Sequence, residues 1–268
     1  MYKREHRVFA WLLRPQFLAG VVGFVLFGYG LHLAALQRAH QATMSTTSKQ
    51  VARVAAALTP ARAPDRPSAV DCALQACLAL TFDDGPSPSI TPRVLDTLKM
   101  HHARATFFVL GIHVPGNEAL LRRMFEEGHQ IGNHSWSHPD LTLLPAAQIQ
   151  AQIEQTQAVI MAAGVPAPTI FRPPYGAMNA VVRSHVPLTI ALWNVDPEDW
   201  HTKNPHDIIT RVLTTARPGR VILMHDIDPP TADALDLLLV ELQKQYQLVT
   251  FSELFNLAPG QRGEFYGR

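Results

Sequence analysis

Short apolar runs alternate with helix-like segments along the chain from Leu78 onward. Seven such runs, rich in Val, Ile, Leu, Phe and Thr, predict β-strands: LALTF, ATFFVL, HQIGN, TIFR, TIALWN, VILMH and QLVTF. Strands that alternate with helices are typical of a parallel sheet covered by helices. We therefore expect one closed or nearly closed α/β layer system, and seven strands suit a parallel barrel.

Helix signals recur between the predicted strands. Thr91 is predicted to cap a helix that has Pro92 at its first position, and Asn117 to cap EALLRRMFEE, which Gly128 ends. Apolar spacing predicts further helices over residues 146–163, 207–216 and 232–246, and a short one after Ser252.

The N-terminal pattern differs from the rest. Residues 17–36 read FLAGVVGFVLFGYGLHLAAL, contain no Asp, Glu, Lys or Arg, and are long enough to cross a bilayer. Four basic residues precede this segment and only Arg38 follows it closely, which predicts a cytoplasmic basic segment at 1–16 and an exported remainder. The prediction is a single-pass signal anchor in a bacterial cell membrane, with the N-terminus cytoplasmic.

Two other interpretations of residues 17–36 stay open. A cleaved signal peptide would release a secreted protein, but the apolar segment is long for one and only the weak Gly28/Gly30 pair resembles a cleavage site. A buried core helix is disfavoured because the basic flank lies on one side only.

Three further regions follow the apolar segment. Residues 37–70 are rich in Ala and Pro and predict a flexible linker, residues 71–257 carry the strand and helix pattern, and residues 258–268 form a C-terminal tail. The only cysteines, Cys72 and Cys77, lie just before the first strand. In an exported domain we favour a local disulfide between them; two free thiols or a CxxxxC metal site are the alternatives, although two cysteines alone leave a zinc site incomplete.

Composition limits the function. The 268 residues are 47% hydrophobic and 17% charged, enough to bury one substantial core. The net charge of +1 shows no basic excess, so nucleic acid is not expected as a partner, and no obligate protein partner is evident.

The candidate chemistry begins at the end of the first predicted strand. Asp83 and Asp84 precede a Gly-Pro turn, where one carboxylate can bind a metal while the other accepts a proton. His134 and His138 in NHSWSHPD are four residues apart, and Pro139 limits them to a single turn or a loop. The histidine pair is a weak signal alone, but with the carboxylate pair it indicates a one-metal hydrolase.

Three later segments add candidates. In FRPPYG the prolines can aim Arg172 at a carboxylate and the Tyr175 backbone N–H at an oxyanion; the alternative is an ordinary loop with a surface arginine. In VILMH, Leu223 and His225 share a strand face, and His225 is a general acid or simply a polar strand end. In DPEDW, Asp199 can orient an imidazole and Trp200 can form an aromatic wall.

Taken in order, TFDDGP, HSWSH, RPPY, DPEDW and LMH resemble the five motifs of the NodB-like polysaccharide deacetylases, carbohydrate esterase family 4. The resemblance runs from about residue 71 to residue 255. VDCALQACLALTFDDGP is also similar to the opening segment of exported bacterial members that carry a cysteine pair. The fold implied is a distorted (β/α)7 barrel.

The resemblance also implies a role for each candidate residue. Asp84, His134 and His138 would bind a divalent metal, usually zinc, although cobalt or another divalent ion also suits two histidines and an aspartate. Asp83 would be the base, oriented by Arg172. Tyr175 would supply its backbone N–H to the oxyanion, and Trp200 and Leu223 would line the acetyl pocket. His225 would be the acid, oriented by the carboxylate of Asp199.

The implied activity is hydrolysis of the acetamide C–N bond of N-acetylated amino sugars. For a domain tethered outside a cell membrane the leading substrate is the GlcNAc or MurNAc of peptidoglycan, with chitin oligomers and poly-N-acetylglucosamine next. An O-acetyl esterase, a cyclic-amide hydrolase and a glycan-binding pseudoenzyme are the alternatives. The pseudoenzyme is disfavoured because every motif position is filled, and the cyclic-amide hydrolase because of the exported domain.

Overall fold

A computed structural model describes residues 70–258 and 260–267 of the chain. Those residues contain eight β-strands: β1 (Cys77–Asp83), β2 (Thr106–Val109), β3 (Gln130–Asn133), β4 (Ile170–Phe171), β5 (Thr189–Ala191), β6 (Val221–His225), β7 (Gln247–Val249) and β8 (Glu264–Phe265). Each of the seven predicted strands is present, with β2, β3, β4, β5 and β7 shorter than expected.

Helices connect successive strands in the described part of the chain. The α-helices are α1 (Thr91–Met100), α2 (Glu118–Glu126), α3 (Ala146–Ala162), α4 (Ala180–His185), α5 (Asp199–Thr202), α6 (Pro205–Thr215), α7 (Pro229–Leu242) and α8 (Phe251–Phe255). Single 3-10 turns cover Gly111–His113, Leu141–Leu143 and Pro174–Gly176.

The strands form one parallel sheet in the order β6-β1-β2-β3-β4-β5-β8, and β7 pairs with the first residues of β1. The sheet curls into a half-barrel with helices on its outer side. Beyond the end of β5, Val195 makes an isolated parallel bridge to Ile222 of β6, so the chain links the two sides of the curl. This architecture is consistent with the expected distorted (β/α)7 barrel.

The sheet separates two apolar layers. On the outer side Leu80 and Phe82 pack with the helices, and on the inner side Ala79 packs with Phe108 and Phe251. All seven residues of β1 are buried, as expected of a central strand covered on both faces. The last two residues on the inner face of β1, Thr81 and Asp83, are polar. Polar groups therefore lie at the carboxyl edge of the curled sheet.

One strand was not predicted. Residues 264–265, expected to be tail, form β8 and pair with β5 through the Ile190 N–H to Gly263 O and the Leu192 N–H to Phe265 O bonds. A two-residue strand has no apolar run long enough to show a period of two, so its pairing depends on backbone groups that any residue supplies.

Several predicted helix starts are wrong. Ile90, not Thr91, occupies the cap of α1, because the Thr91 hydroxyl accepts the Ser87 N–H and bonds Asp226. Asn117 does cap α2 by position, but its side-chain amide donates to the His113 carbonyl instead of accepting a helix N–H. Helices α6 and α7 begin earlier than expected, at prolines, whose fixed φ suits a first turn.

The predicted disulfide is confirmed: Cys72 and Cys77 are bonded, with their Cα atoms 5.5 Å apart. Since these are the only cysteines, the free-thiol and metal-site alternatives are wrong. Cys77 is also the first residue of β1, so the bond attaches the segment that enters the domain directly to the central strand.

The predicted membrane segment at 17–36, with the basic segment before it and the linker through residue 69, lies outside the described residues. Within residues 70–258 and 260–267, no helix has the length and apolar character needed to cross a bilayer.

Candidate active site

The candidate residues gather where parallel strands end. Asp83 and His225 are the last residues of the neighbouring strands β1 and β6, and they are register partners, so their side chains leave the same face side by side. His134 follows β3 and Arg172 follows β4. The carboxyl edge of the curled sheet therefore assembles residues that are distant in sequence.

The two adjacent carboxylates are separated by a change of backbone direction. Asp84 adopts a left-handed conformation with φ of 72°, which aspartate tolerates better than most residues. Two bonds hold the turn: the Leu110 N–H donates to the Gly85 carbonyl at 3.0 Å, and His113 Nδ1 donates to the Asp84 carbonyl at 2.8 Å. Both carboxylates can thus reach one site instead of pointing to opposite faces.

Three ligand atoms converge beside this turn. Asp84 Oδ1 lies 3.4 Å from His134 Nε2 and 3.6 Å from His138 Nε2, and the ligand atoms of the three residues all lie within 4.8 Å of one another. Asp84 Oδ1 is buried and has no hydrogen-bond partner among the described residues. A buried oxygen facing two imidazole nitrogens suits a divalent cation.

The protonation of His134 suits a metal ligand. Its Nδ1–H donates to the Arg172 carbonyl at 2.7 Å, which leaves the Nε2 lone pair directed at Asp84. Burial lowers the pKa of His134 to about 3, although the negative charge of Asp84 acts in the opposite direction. The imidazole is therefore neutral at physiological pH, as ligation requires.

The segment carrying both histidines is a loop held by side chains. Ser135 and His138 have positive φ values of 74° and 61°, and Gln152 of α3 accepts the N–H groups of Trp136 and Ser137. The Ser135 hydroxyl accepts the His138 N–H. The histidines converge because of these bonds and not because of helical spacing.

Arg172 is completely buried, so the surface-arginine alternative is wrong. Its Nη1 donates to Asp83 Oδ1 and to Thr81 Oγ1, both at 2.7 Å. The remaining donors reach the carbonyls of β5 and the residue after it: Nε to Ala191 O at 3.0 Å and Nη2 to Leu192 O at 3.3 Å. The guanidinium also lies 4.1 Å from the centre of the Phe108 ring.

Asp83 is left with one oxygen facing the candidate metal site. Oδ1 is bonded to Arg172, while Oδ2 lies 3.6 Å from His134 Nε2. Burial raises the pKa of Asp83, and the charges of Arg172 and His225 offset only part of that effect. A carboxylate with a raised pKa is a stronger base than an ordinary aspartate.

His225 is paired with a buried carboxylate. Its Nδ1–H donates to Asp199 Oδ1 at 2.8 Å, while Asp199 Oδ2 accepts the His225 backbone N–H and the Thr231 hydroxyl. Burial lowers the pKa of His225, but the hydrogen bond to Asp199 and the charges of Asp199, Asp83 and Asp84 outweigh it and raise the pKa to about 9. The imidazole is therefore charged at neutral pH and has a proton to donate.

The remaining predicted residues lie around this centre in different environments. Tyr175 has a left-handed backbone (φ 59°), and its exposed ring packs edge-on against His138 at 4.5 Å. Leu223 is buried on the inner face, two residues before His225. Trp200 is half exposed on α5, directly after Asp199.

Several supporting residues escaped sequence reasoning: His113, Asn133, Gln152, Asp226 and Thr231. They belong to different elements, and no spacing links His113, Gln152 or Thr231 to the motifs they support. Two carried a signal by adjacency: Asn133 directly precedes His134, and Asp226 directly follows His225. The Asn133 side chain accepts the Ser135 N–H and donates to the Ile153 carbonyl, which joins the histidine loop to α3.

Comparison with known proteins agrees with this geometry. A family model described as polysaccharide deacetylase matches residues 71–187. The peptidoglycan-N-acetylglucosamine deacetylase PgdA of Listeria monocytogenes is 49% identical over 179 residues, which are 66% of this chain and 38% of that protein. The chain therefore spans well under half the length of this relative.

Two further relatives are covered more completely. A chitooligosaccharide deacetylase of Rhizobium leguminosarum bv. trifolii is 42% identical over 154 residues, which are 56% of this chain and 72% of that protein. The structure of peptidoglycan deacetylase PdaC from Bacillus subtilis superposes with a TM-score of 0.68 at 47% identity, covering 70% of this chain and 93% of that one.

The raised pKa of His225 predicts a pH-dependent stability. Since its folded-state pKa of about 9 exceeds the ordinary 6.5, the charged form stabilises the fold fully below pH 6.5, and this stabilisation is lost as the pH rises through about 9. The shift corresponds to something on the order of 3 kcal/mol. We expect D199N to remove most of this pH dependence, as measured by urea unfolding of the full chain in mild detergent between pH 6 and 10.

Other buried groups titrate in both proteins, so the difference between the wild-type and D199N curves isolates the contribution of His225. If the unfolding free energies of wild type and D199N ran parallel between pH 6 and 10, the raised pKa of His225 would not be due to Asp199.

Proposed function

The chain belongs to the polysaccharide deacetylase family, carbohydrate esterase family 4, and on that basis we propose that it hydrolyses the acetamide bond of N-acetylated amino sugars. The observation that carries the proposal is the position of Asp83 between two partners. Arg172 holds one carboxylate oxygen, and the other lies 3.6 Å from His134 of the candidate metal site. A base so placed suits activation of water at a metal centre.

The family is metal-dependent, and Asp84, His134 and His138 are the residues that would hold the ion. When bound, a divalent ion supplies Lewis-acid catalysis: it lowers the pKa of water and polarises the acetyl carbonyl. We propose zinc as the native ion, because two histidines and one aspartate suit it, although the same donors accept cobalt and other divalent ions.

Proton transfer is divided between the two sides of the site. Asp83 Oδ2 accepts a proton from the attacking water, while Arg172 keeps the carboxylate oriented and compensates its charge. His225, charged at neutral pH and held by Asp199 in one tautomer, donates a proton to the departing amine. The products are acetate and a free amino sugar.

Three residues are proposed to bind the acetyl group and the developing charge. The Tyr175 backbone N–H donates to the oxyanion of the tetrahedral intermediate, where a fixed donor stabilises the charge without reorganisation. Leu223 and Trp200 line the pocket for the acetyl methyl group. The support is their location: Leu223 shares a strand face with His225, and Trp200 follows Asp199.

Peptidoglycan is the proposed substrate. The named relatives PgdA and PdaC are peptidoglycan deacetylases, while the Rhizobium relative is a chitooligosaccharide deacetylase. An envelope polymer also suits a domain that residues 17–36 would tether outside the cell membrane. Chitin oligomers, poly-N-acetylglucosamine and O-acetylated glycans are the alternatives that the substrate experiment below separates.

The first prediction separates the roles of the two carboxylates. D83N should keep its metal and lose acetate release from an N-acetylated glycan by about 10²- to 10⁴-fold, because the base is removed while the three candidate ligands remain. Since D83N also leaves the buried Arg172 without its partner charge, urea unfolding checks that the variant is folded. D84N should lose both metal and activity, because a ligand is removed. Metal content and acetate release of the full chain measure the two effects, and D96N, altered at an exposed residue of α1, is the control.

Wild-type activity in D83N, or an unchanged metal content in D84N, would contradict this division of roles.

The second prediction concerns the substrate. Incubation of the full chain with peptidoglycan, chitin oligomers, poly-N-acetylglucosamine and acetylated xylan should release most acetate from peptidoglycan, with D83N as the blank. Mass spectrometry of muropeptides then assigns the deacetylated sugar as GlcNAc or MurNAc. Metal binding without turnover on any of the polymers would instead favour a glycan-binding pseudoenzyme.

The third prediction concerns location. We propose that residues 17–36 anchor the chain in a bacterial cell membrane with the domain outside, on the support of their apolar length and the basic residues that precede them. Protease added to intact spheroplasts should then digest the domain, and the N-terminal segment should stay with the membrane. Recovery of the whole domain in the medium would point to cleavage and secretion.

A further inference from the structure

One buried carboxyl group near the site has no part in the proposed mechanism. Asp226 follows His225 at the end of β6 and is 1% exposed. Its backbone N–H donates to the Asp83 carbonyl at 3.4 Å. The residue therefore lies directly behind the turn that carries both functional carboxylates.

The side chain of Asp226 occupies the space beside Gly85. A Cβ placed on Gly85 would lie 2.3 and 2.4 Å from the two carboxyl oxygens of Asp226, far inside van der Waals contact. Gly85 does not have a positive φ, so its backbone conformation is open to other residues. The close approach of Asp226 is what requires glycine at this position.

Asp226 also contacts the start of α1. Its Oδ2 is hydrogen-bonded to the Thr91 hydroxyl, which lies 3.3 Å from the Asp226 backbone carbonyl and accepts the Ser87 N–H at 2.7 Å. A hydroxyl has a single proton to donate. Thr91 directs it at Asp226, where Oδ2 and the backbone carbonyl are both within reach as acceptors.

The surroundings give the Asp226 carboxyl group little polar compensation. Its other oxygen, Oδ1, is buried and has no hydrogen-bond partner in the described part of the chain, and none of the described salt bridges includes Asp226. Burial raises the pKa of Asp226 to about 7; the hydrogen bond from Thr91 acts in the opposite direction, and the charges of Asp84 and Asp83 act in the same direction as burial. An unpaired carboxylate in such a place would be costly.

We propose that Asp226 is a positioning residue that fixes the turn bearing Asp83 and Asp84 against β6 and α1. It joins three segments: its backbone N–H holds the Asp83 carbonyl, its carboxyl group packs on Gly85, and its Oδ2 accepts the Thr91 hydroxyl. The inference rests on the proposed function, since the turn matters because it sets the metal ligand and the base relative to His225.

Two substitutions test the role of the carboxyl group. D226A removes the contacts with Gly85 and Thr91, whereas D226N keeps the shape and an oxygen that accepts the Thr91 hydroxyl. In the full chain we expect D226A to weaken Co²⁺ binding, followed by its visible absorption, by at least about tenfold, and D226N to stay within about threefold of wild type. With turnover, D226A should lower kcat more than it raises KM, because the base is misplaced.

The control is D233N, at an exposed aspartate of α7 that pairs with Arg93 on the surface, and it should match the wild type. Wild-type Co²⁺ affinity in D226A would overturn the positioning role. A D226N variant as defective as D226A would overturn the assignment of this role to the shape of the side chain and its bond with Thr91.

A double-mutant cycle tests the contact with Gly85. G85A should weaken Co²⁺ binding in the wild-type background, but much less in the D226A background, because the clashing oxygens are then absent. Equal losses in the two backgrounds would mean that Asp226 does not hold the turn.

Variants of Thr91 test the same proposal if D226A does not fold. T91V removes the hydroxyl while keeping the shape, and T91S keeps the hydroxyl; we expect weakened Co²⁺ binding in T91V only. Equal affinities in T91V, T91S and wild type would overturn the proposal. Because Co²⁺ binding is read without any glycan, failure of the deacetylase activity on every polymer would contradict the proposed function and leave this test intact.

Discussion

The structure depends on the buried ion pair between Arg172 and Asp83. Both side chains are removed from solvent, so each charge is tolerable only because the other is present and the remaining donors are satisfied. The guanidinium uses those donors on Thr81 of β1 and on the carbonyls of Ala191 and Leu192, and it stacks on Phe108 of β2. One side chain thereby ties the curled sheet together across its inside.

The same arginine connects the fold to the chemistry. Its guanidinium leaves Asp83 with one oxygen turned toward the candidate metal site, and its backbone carbonyl accepts the Nδ1–H of His134, which sets the tautomer of a proposed metal ligand. The two sides of the carboxyl edge of the sheet differ in the charges that they carry. On one side lie the neutral His134 and the carboxylate of Asp84, and on the other the charged His225 held by Asp199. Asp83 and His225, the proposed base and acid, thus lie side by side at the ends of neighbouring strands.

Much of this arrangement follows from local patterns. The apolar runs predicted strands β1 to β7. Asp83 and His225 lie at strand ends, and His134 and Arg172 directly follow strands. Prediction failed where an outcome depended on a distant partner. Thr91 has the chemistry of a helix cap, yet its hydroxyl is taken by Ser87 and Asp226; β8 forms through backbone pairing alone; and Gln152 holds the histidine loop from a helix whose sequence gives no hint of it.

By itself, the sequence determined the class of fold, the order of the elements, the cysteine pair and the identity of the residues able to bind a metal and move protons, because periodicity and side-chain chemistry are local properties. Only the tertiary structure decided which oxygen of Asp83 is bonded to Arg172, that His225 carries a proton at neutral pH, and that Asp226 requires glycine at position 85. These outcomes depend on burial and on distances between groups far apart along the chain, which come into existence only when the sheet curls.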